Sequence, residues 1–180
     1  MLARARLALA LVAVTALAGP AAAPARIEGP TGGRYPQAAT LASEVLADLN
    51  HEREVRGLVP LRLSPALAAA AAYHSREMAK SGYFDHRSAD GSMFWKRVQR
   101  FYPVAGARSW SVGENLLWSS PGVDAAGAIQ MWMESPDHRK NMLDPAWREI
   151  GIGALHVTAA PGFYKGLEVT LVTADFGFRR

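Results

Sequence analysis

Cysteine is absent from this 180-residue chain. That excludes a disulfide framework, a lipidated N-terminal cysteine and a cysteine nucleophile, so packing alone must hold the domain together. A strong charge of one sign is missing as well. Setting aside Arg4 and Arg6 leaves 18 basic side chains against 16 acidic ones, a net +2 with both signs interspersed. So even a balance gives no argument for a nucleic-acid partner, and none is expected. Internal repeats are lacking, and the alanine run from Ala66 to Ala72 is the one low-complexity stretch inside the domain. A Gly-x-Ser-x-Gly elbow and a phosphate-binding glycine loop are missing too, so any hydrolysis would rely on an activated water.

The longest apolar run, Leu7 to Leu17, follows Arg4 and Arg6 and precedes small residues. This is the layout of a cleavable secretory signal peptide over residues 1–25, with cleavage after Ala18, Ala23 or Ala25. An uncleaved anchor is the competing reading, but the run is short for a bilayer. The expected location is secreted or extracytoplasmic, with no stable membrane span once the signal is removed. Residues 26–36 hold Gly29, Pro30, Gly32, Gly33 and Pro36 and read as a flexible lead-in. Residues 37–180 then form one domain, expected to be a monomer, of a length that suits a substantial core.

Within it, Leu41, Val45, Leu49 and, less well, Val55 mark the apolar stripe of a helix over residues 37–56. Glu44, Asp48, Glu52 and Arg53 fall on its other side. His51-Glu52 begins like a zinc-protease helix, but Val55 stands where the second histidine is required. Ser64-Pro65 starts a second helix that Gly82 closes, and its alanines suit a central, closely approached position. His74 on that helix has no acidic partner close in sequence, which favours a core role over a site role. Asp90-Gly91-Ser92 introduces a third helix over residues 93–101. Val112 to Trp118 reads as a buried strand with Glu114 at its mouth. A fourth helix covers Ala125 to Glu134, and Pro136 starts a fifth that ends at Leu143, with Ser135 as its N-cap. Runs Glu149 to Thr158 and Leu167 to Phe176 read as strands around a turn at Ala160-Pro161-Gly162. Helices first and antiparallel strands later define an α+β domain. Arg179-Arg180 reads as a solvated tail.

The chemistry concentrates in a few places. His86 follows the aromatics Tyr83 and Phe84, which pin its loop; it is either a site residue or a loop cap bonded to Ser88 or Asp90. Glu114 lies in Gly113-Glu114-Asn115. Glu134 and His138 flank the forced break at Pro136, where both could face one hollow. These segments, with Glu149-Ile150-Gly151-Ile152-Gly153, occur in an order that resembles the CAP superfamily: cysteine-rich secretory proteins, antigen 5 and pathogenesis-related 1 proteins, whose domain is also called SCP. The similarity runs from about Thr40 to Gly177 and is greatest to the short, cysteine-free bacterial secreted branch.

The resemblance implies a three-layer α-β-α sandwich with a small, mainly antiparallel sheet. It also implies a cleft in which His86, His138, Glu114 and Glu134 gather, with zinc or another divalent cation on the histidines. Only three residues separate Glu134 from His138, fewer than in the longer eukaryotic members, which makes Glu134 the least secure of the four. The implied function is binding of a divalent metal and of a small apolar ligand (lipid or sterol-like) or an envelope partner, without an agreed reaction. The alternative is a metal-assisted hydrolase in which Glu114 or Glu134 is the base for a bound water. Trp95 and Trp110, beside loops, are the candidate groove aromatics, whereas Phe84, Trp118 and Trp132 read as core.

Overall fold

A computed structural model describes residues 38–180; the expected signal peptide and lead-in lie outside the described residues. Five helices and four strands follow in the order α1 (Ala38–Glu54), β1 (Arg62–Leu63), α2 (Pro65–Ser81), α3 (Phe94–Phe101), β2 (Trp110–Ser119), α4 (Ala125–Glu134), α5 (Pro136–Met142), β3 (Glu149–Ala160) and β4 (Leu167–Arg179). The strands form one sheet in the order β1-β3-β4-β2. Strands β3–β4 and β4–β2 pair antiparallel, and the two-residue β1, which the sequence reading missed, pairs parallel with β3. The expected mixed α+β fold with a small, mainly antiparallel sheet is present.

Side chains alternate across a strand, and here the two faces meet different helices. Leu117, Ile150, Ile152, Val172, Ala174 and Phe176 pack with residues of α1, α4 and α5. On the other face Val112 packs with Leu67 and Ala70 of α2 and with Phe94 and Val98 of α3. The sheet is therefore the middle of three layers. Trp132 of α4 is buried in the first core, where its indole donates to the carbonyl of Leu116 at 3.1 Å. Burying a side chain of that size stabilises by roughly 2–3 kcal/mol.

The alanine-rich α2 lies flat on β3, as its composition suggests. A Cβ on Gly151 would stand 1.9 Å from the backbone nitrogen of Ala68, and one on Gly153 would stand 2.2 Å from that of Ala72. Both distances are far inside van der Waals contact, so the two glycines set the separation between helix and sheet.

Several local expectations are corrected. The fourth member of the α1 stripe is Arg53, four residues after Leu49 and fully buried, while Val55 is 61% exposed. Arg53 was expected on the solvent side. Its guanidinium instead donates to the carbonyls of Val59 at 3.0 Å, Met142 at 2.6 Å and Asp144 at 3.1 Å, tying α1 to the end of α5. Glu114 is central in β2 rather than at its mouth, because the strand starts at Trp110. Arg179 belongs to β4, and the backbone of Arg180 exchanges two hydrogen bonds with Ser109, so this end is paired strand rather than tail.

Candidate functional site

Strand β2 is an edge of the sheet, and consecutive residues on it address opposite helical layers. Glu114 points toward α2 and α3, Asn115 toward α5. Each holds one of the two histidines. His86, in the loop after α2, has its Nδ1 2.8 Å from Glu114 Oε1. His138 is held through its main chain, because Asn115 Nδ2 donates to its carbonyl at 3.1 Å. Asn141 Nδ2 in turn donates to Asn115 Oδ1 at 2.9 Å, and the Trp147 indole donates to the Asn141 carbonyl at 3.0 Å. Gly113 leaves room for this stack: a Cβ there would lie 2.7 Å from Asn141 Oδ1 and 2.9 Å from the Trp147 ring. The Gly-Glu-Asn run thus couples the two layers at one spot on the edge strand.

Glu114 is a fully buried anion, and its other oxygen takes an ion pair from Arg97 of α3. Arg97 also donates to Ser88 Oγ at 2.9 Å and to the carbonyl of His86 at 3.3 Å. The expected alternative for His86, a cap on Ser88 or Asp90, is not what forms. Ser88 takes Arg97, and Asp90 takes the backbone N–H of Ser92. Burial pushes the Glu114 carboxyl up, but the Arg97 charge and then the His86 hydrogen bond outweigh it and bring it down to about 2. A carboxylate this acidic stays ionised and accepts a hydrogen bond from Nδ1 of His86, which turns the Nε2 edge of that ring away from Glu114.

Two further groups surround this pair, and the sequence marked neither as a partner. His74 is fully buried, with Nε2 2.9 Å from the carbonyl of Asp85, next to His86 in the chain. Contrary to the sequence reading it has an acidic neighbour, Glu77 at 3.4 Å, which also accepts from the Tyr83 hydroxyl at 2.7 Å. Burial chiefly lowers the His74 pKa. A neutral ring donating to Asp85 fits, and it braces the loop that carries His86. Asp175 stands opposite Glu114 in the β2–β4 register. It is fully buried, no donor among the described residues reaches either oxygen, and its carboxyl is pushed well above the usual range by burial and then by Glu114. Arg97 neutralises one buried carboxylate, so the second keeps its proton.

His138 is buried, and its ring pKa is lowered by burial and next by the charge of His86, with Asp137 opposing. Burial and the neighbouring His86 thus favour the neutral form of the His138 ring. Glu134 is placed differently. It is exposed and accepts from Gln130 Nε2 at 2.9 Å, one turn back on α4. His86, Glu114 and His138 are brought together by contact or electrostatics; Glu134 shows no such link. Among the described residues no group of three or more His, Cys, Asp or Glu is arranged to hold a metal ion. The donor set therefore fits at most a two-imidazole site. Glu114 is committed to its partners on both oxygens and sits behind the His86 ring.

The groove aromatics also find other places. Trp110 donates to the carbonyl of Tyr102 at 3.0 Å, and with Trp95 it packs on the α2–α3 core. Trp118 meets Phe163 and Tyr164 edge-on. A surface depression of about 580 Å³ adjoins the His86 loop, lined by Gly82, Tyr83, Phe84, Asp85, Arg87 and Phe163 among others. Phe84 stacks on Phe163 there at 6.0 Å and, half-buried, packs against the core around Met78, Leu116 and Tyr164.

This architecture has known counterparts. The Bacillus subtilis (strain 168) protein YkwD is 32% identical over 104 residues, covering 58% of this chain and 38% of that protein. The membrane protein YlbC of the same strain is 27% identical over 115 residues, covering 63% of this chain and 32% of that protein. The chain thus spans under two fifths of the length of these curated relatives. An extracellular SCP-domain protein of Bacillus anthracis str. Ames matches with a TM-score of 0.61 at 25% identity, over 77% of this chain and 40% of that one. An outer surface protein of Borrelia burgdorferi shares the fold, with a TM-score of 0.61 at 16% identity over 77% of this chain and 92% of that one. The sequence pattern of the cysteine-rich secretory protein family, CAP, matches residues 46–172, which include His86, Glu114, Glu134 and His138. The chain belongs to that family.

Proposed function

We propose that this CAP domain works outside the cytoplasm as a binding module whose cleft takes a divalent cation on His86 and His138. The observation that carries the reading is the His86–Glu114–Arg97 chain. A buried carboxylate paired with Arg97 engages Nδ1 of one imidazole and leaves Nε2 of that ring for a ligand. Two neutral imidazoles suit zinc, with the remaining positions left to water or to a ligand brought by a partner. A bound ion would supply Lewis acidity there. The residues themselves orient the ring: Glu114 engages Nδ1, and Arg97 anchors both Glu114 and the His86 main chain.

The hydrolase reading loses its base. Glu114 is held near the acid limit with both oxygens engaged, and Glu134 is turned to solvent. An apolar ligand group finds its best support in the depression beside Phe84 and Phe163, one residue from the His86 ring, rather than between Trp95 and Trp110. Extracytoplasmic placement rests on the N-terminal sequence pattern and on the extracellular and outer-surface proteins that share the fold. No helix among the described residues is long and apolar enough to cross a membrane.

Calorimetric titration of the purified chain with zinc at pH 7.5 tests the cation site. One ion per chain is expected, with affinity falling at least tenfold in both His86→Ala and His138→Ala while Glu134→Gln leaves it unchanged. Binding should weaken as pH falls, because a protonated His138 ring cannot ligate, and its lowered pKa delays that loss to more acidic pH. Undiminished zinc binding in the double histidine variant would refute the assignment.

A further inference from the structure

One end of the sheet combines two features that the cleft does not use. It is the end where β1, β3 and β2 begin and β4 finishes, four residues along β2 from Glu114. Arginines gather there. Arg62 opens β1, Arg148 precedes β3, Arg179 and Arg180 finish β4, and Arg108 precedes β2. All five are exposed, and they span the three inter-strand gaps of the sheet, about 14 Å. The described residues as a whole carry 16 basic and 15 acidic side chains, so this gathering is a segregation of charge rather than a basic chain. Glu149 is the acid among them. It is half-buried, accepts from Tyr102 and lies 3.9 Å from Arg179. Arg179 is in turn held 4.1 Å over the Tyr102 ring. Arg62, Arg108 and Arg180 have no side-chain partner among the described residues.

The second feature is apolar. Five large hydrophobic side chains are strongly exposed among the described residues, and three of them, Val55 at 61%, Val59 at 60% and Leu63 at 59%, fall within nine residues leading into β1. The backbone of Arg62 bonds that of Arg148 at 3.0 Å, so this segment borders the arginines directly. Exposed Pro145, Ala146 and Ala105 tip the neighbouring loops. Cations alone would suit any polyanion. Branched apolar side chains projecting beside them suit a surface with phosphates outside and hydrocarbon beneath. The rings at the patch are already engaged, Trp110 packed on the α2–α3 core and Tyr102 beneath Arg179, which argues against base stacking and so against a nucleic acid.

We propose that this end of the sheet docks on an anionic bilayer surface, with Val59 and Leu63 entering the headgroup region and the arginines meeting lipid phosphates. The mode is peripheral and reversible, and it presents the His86–His138 cleft beside the membrane.

Co-sedimentation of the purified chain with vesicles tests this, comparing equal parts phosphatidylglycerol and phosphatidylcholine with phosphatidylcholine alone, at 50 and 200 mM salt. Binding is expected to the anionic vesicles only and to weaken with salt. Arg62→Glu, Arg108→Glu and Arg180→Glu combined should weaken it at least about a hundredfold, because each basic residue near such a surface contributes about fivefold. Val59→Ser with Leu63→Ser should weaken it about tenfold. All these side chains are exposed, so urea unfolding should be unchanged. A control with Arg76→Glu, Lys80→Glu and Leu167→Ser, exposed positions away from the patch, should bind as the wild type does. Absence of vesicle binding, equal binding to neutral vesicles, or an equal loss in the control would each overturn the proposal. Overturning it too would be binding to soluble long-chain polyphosphate without vesicle binding, or a dimer that the Val59/Leu63 variant dissolves.

Discussion

Two arginines are fully buried on opposite faces of the sheet, and they are satisfied in different ways. Arg53 is held by three main-chain carbonyls, that of Val59 between α1 and β1 and those of Met142 and Asp144 at and just past the end of α5. Arg97 is held by a carboxylate, a hydroxyl and one carbonyl. Each keeps one nitrogen without a partner, Nη2 of Arg53 and Nε of Arg97. The first cation neutralises no buried anion, so its role is to staple helices. The second is the counter-charge that lets Glu114 remain an anion beneath His86. Carbonyls fix geometry, whereas a buried carboxylate fixes geometry and the charge state of whatever it holds.

The sharpest way to separate them is to remove each cation. Arg97→Met leaves Glu114 buried without its cation and should cost about 3–5 kcal/mol in urea unfolding. Adding Glu114→Gln should recover part of that loss, because the stranded charge is gone. Arg53→Met should cost less, about 1–3 kcal/mol, since only hydrogen bonds to carbonyls are lost. It should leave zinc affinity unchanged, while Arg97→Met lowers it. Equal effects on zinc would erase the distinction.

A smaller effect lies across the strand ladder. Glu114 has a depressed pKa, so the stability from its ionisation is present above its ordinary value of 4.5 and is lost as pH falls toward 2. Asp175 has the opposite sign. Its carboxyl keeps a proton in the fold that the unfolded chain releases near 3.8, so its contribution is present below that pH and declines as pH rises. Asp175→Asn should flatten the decline above pH 4 and be at least as stable as wild type at pH 7, measured by thermal unfolding across pH. A steeper decline in that variant would mean that Asp175 is ionised in the fold.

The sequence showed the elements well and the buried charges poorly. The stripe Leu41, Val45, Leu49 was legible because apolar spacing is local. Its continuation at Arg53 was not, because the groups that satisfy Arg53 come from residues 142 and 144. His86 was legible through the aromatics before it. Asp175 was invisible as a partner of Glu114, since only strand register brings them together. Glu134 has a simpler geometry. It follows Trp132 by two residues on one helix, about 200° around the axis, so burying the indole turns the carboxylate outward. Ser135 and Pro136 then redirect the chain, and His138 returns to the interior.

The contact of α2 with Gly151 and Gly153 acts as a gauge block. The helix resting on those two positions ends in the segment that delivers His86, while His138 arrives from the opposite layer. The aperture between the rings is therefore set by a helix-to-sheet separation fixed some distance from either histidine. A single methyl at residue 151 would widen a cleft it never touches.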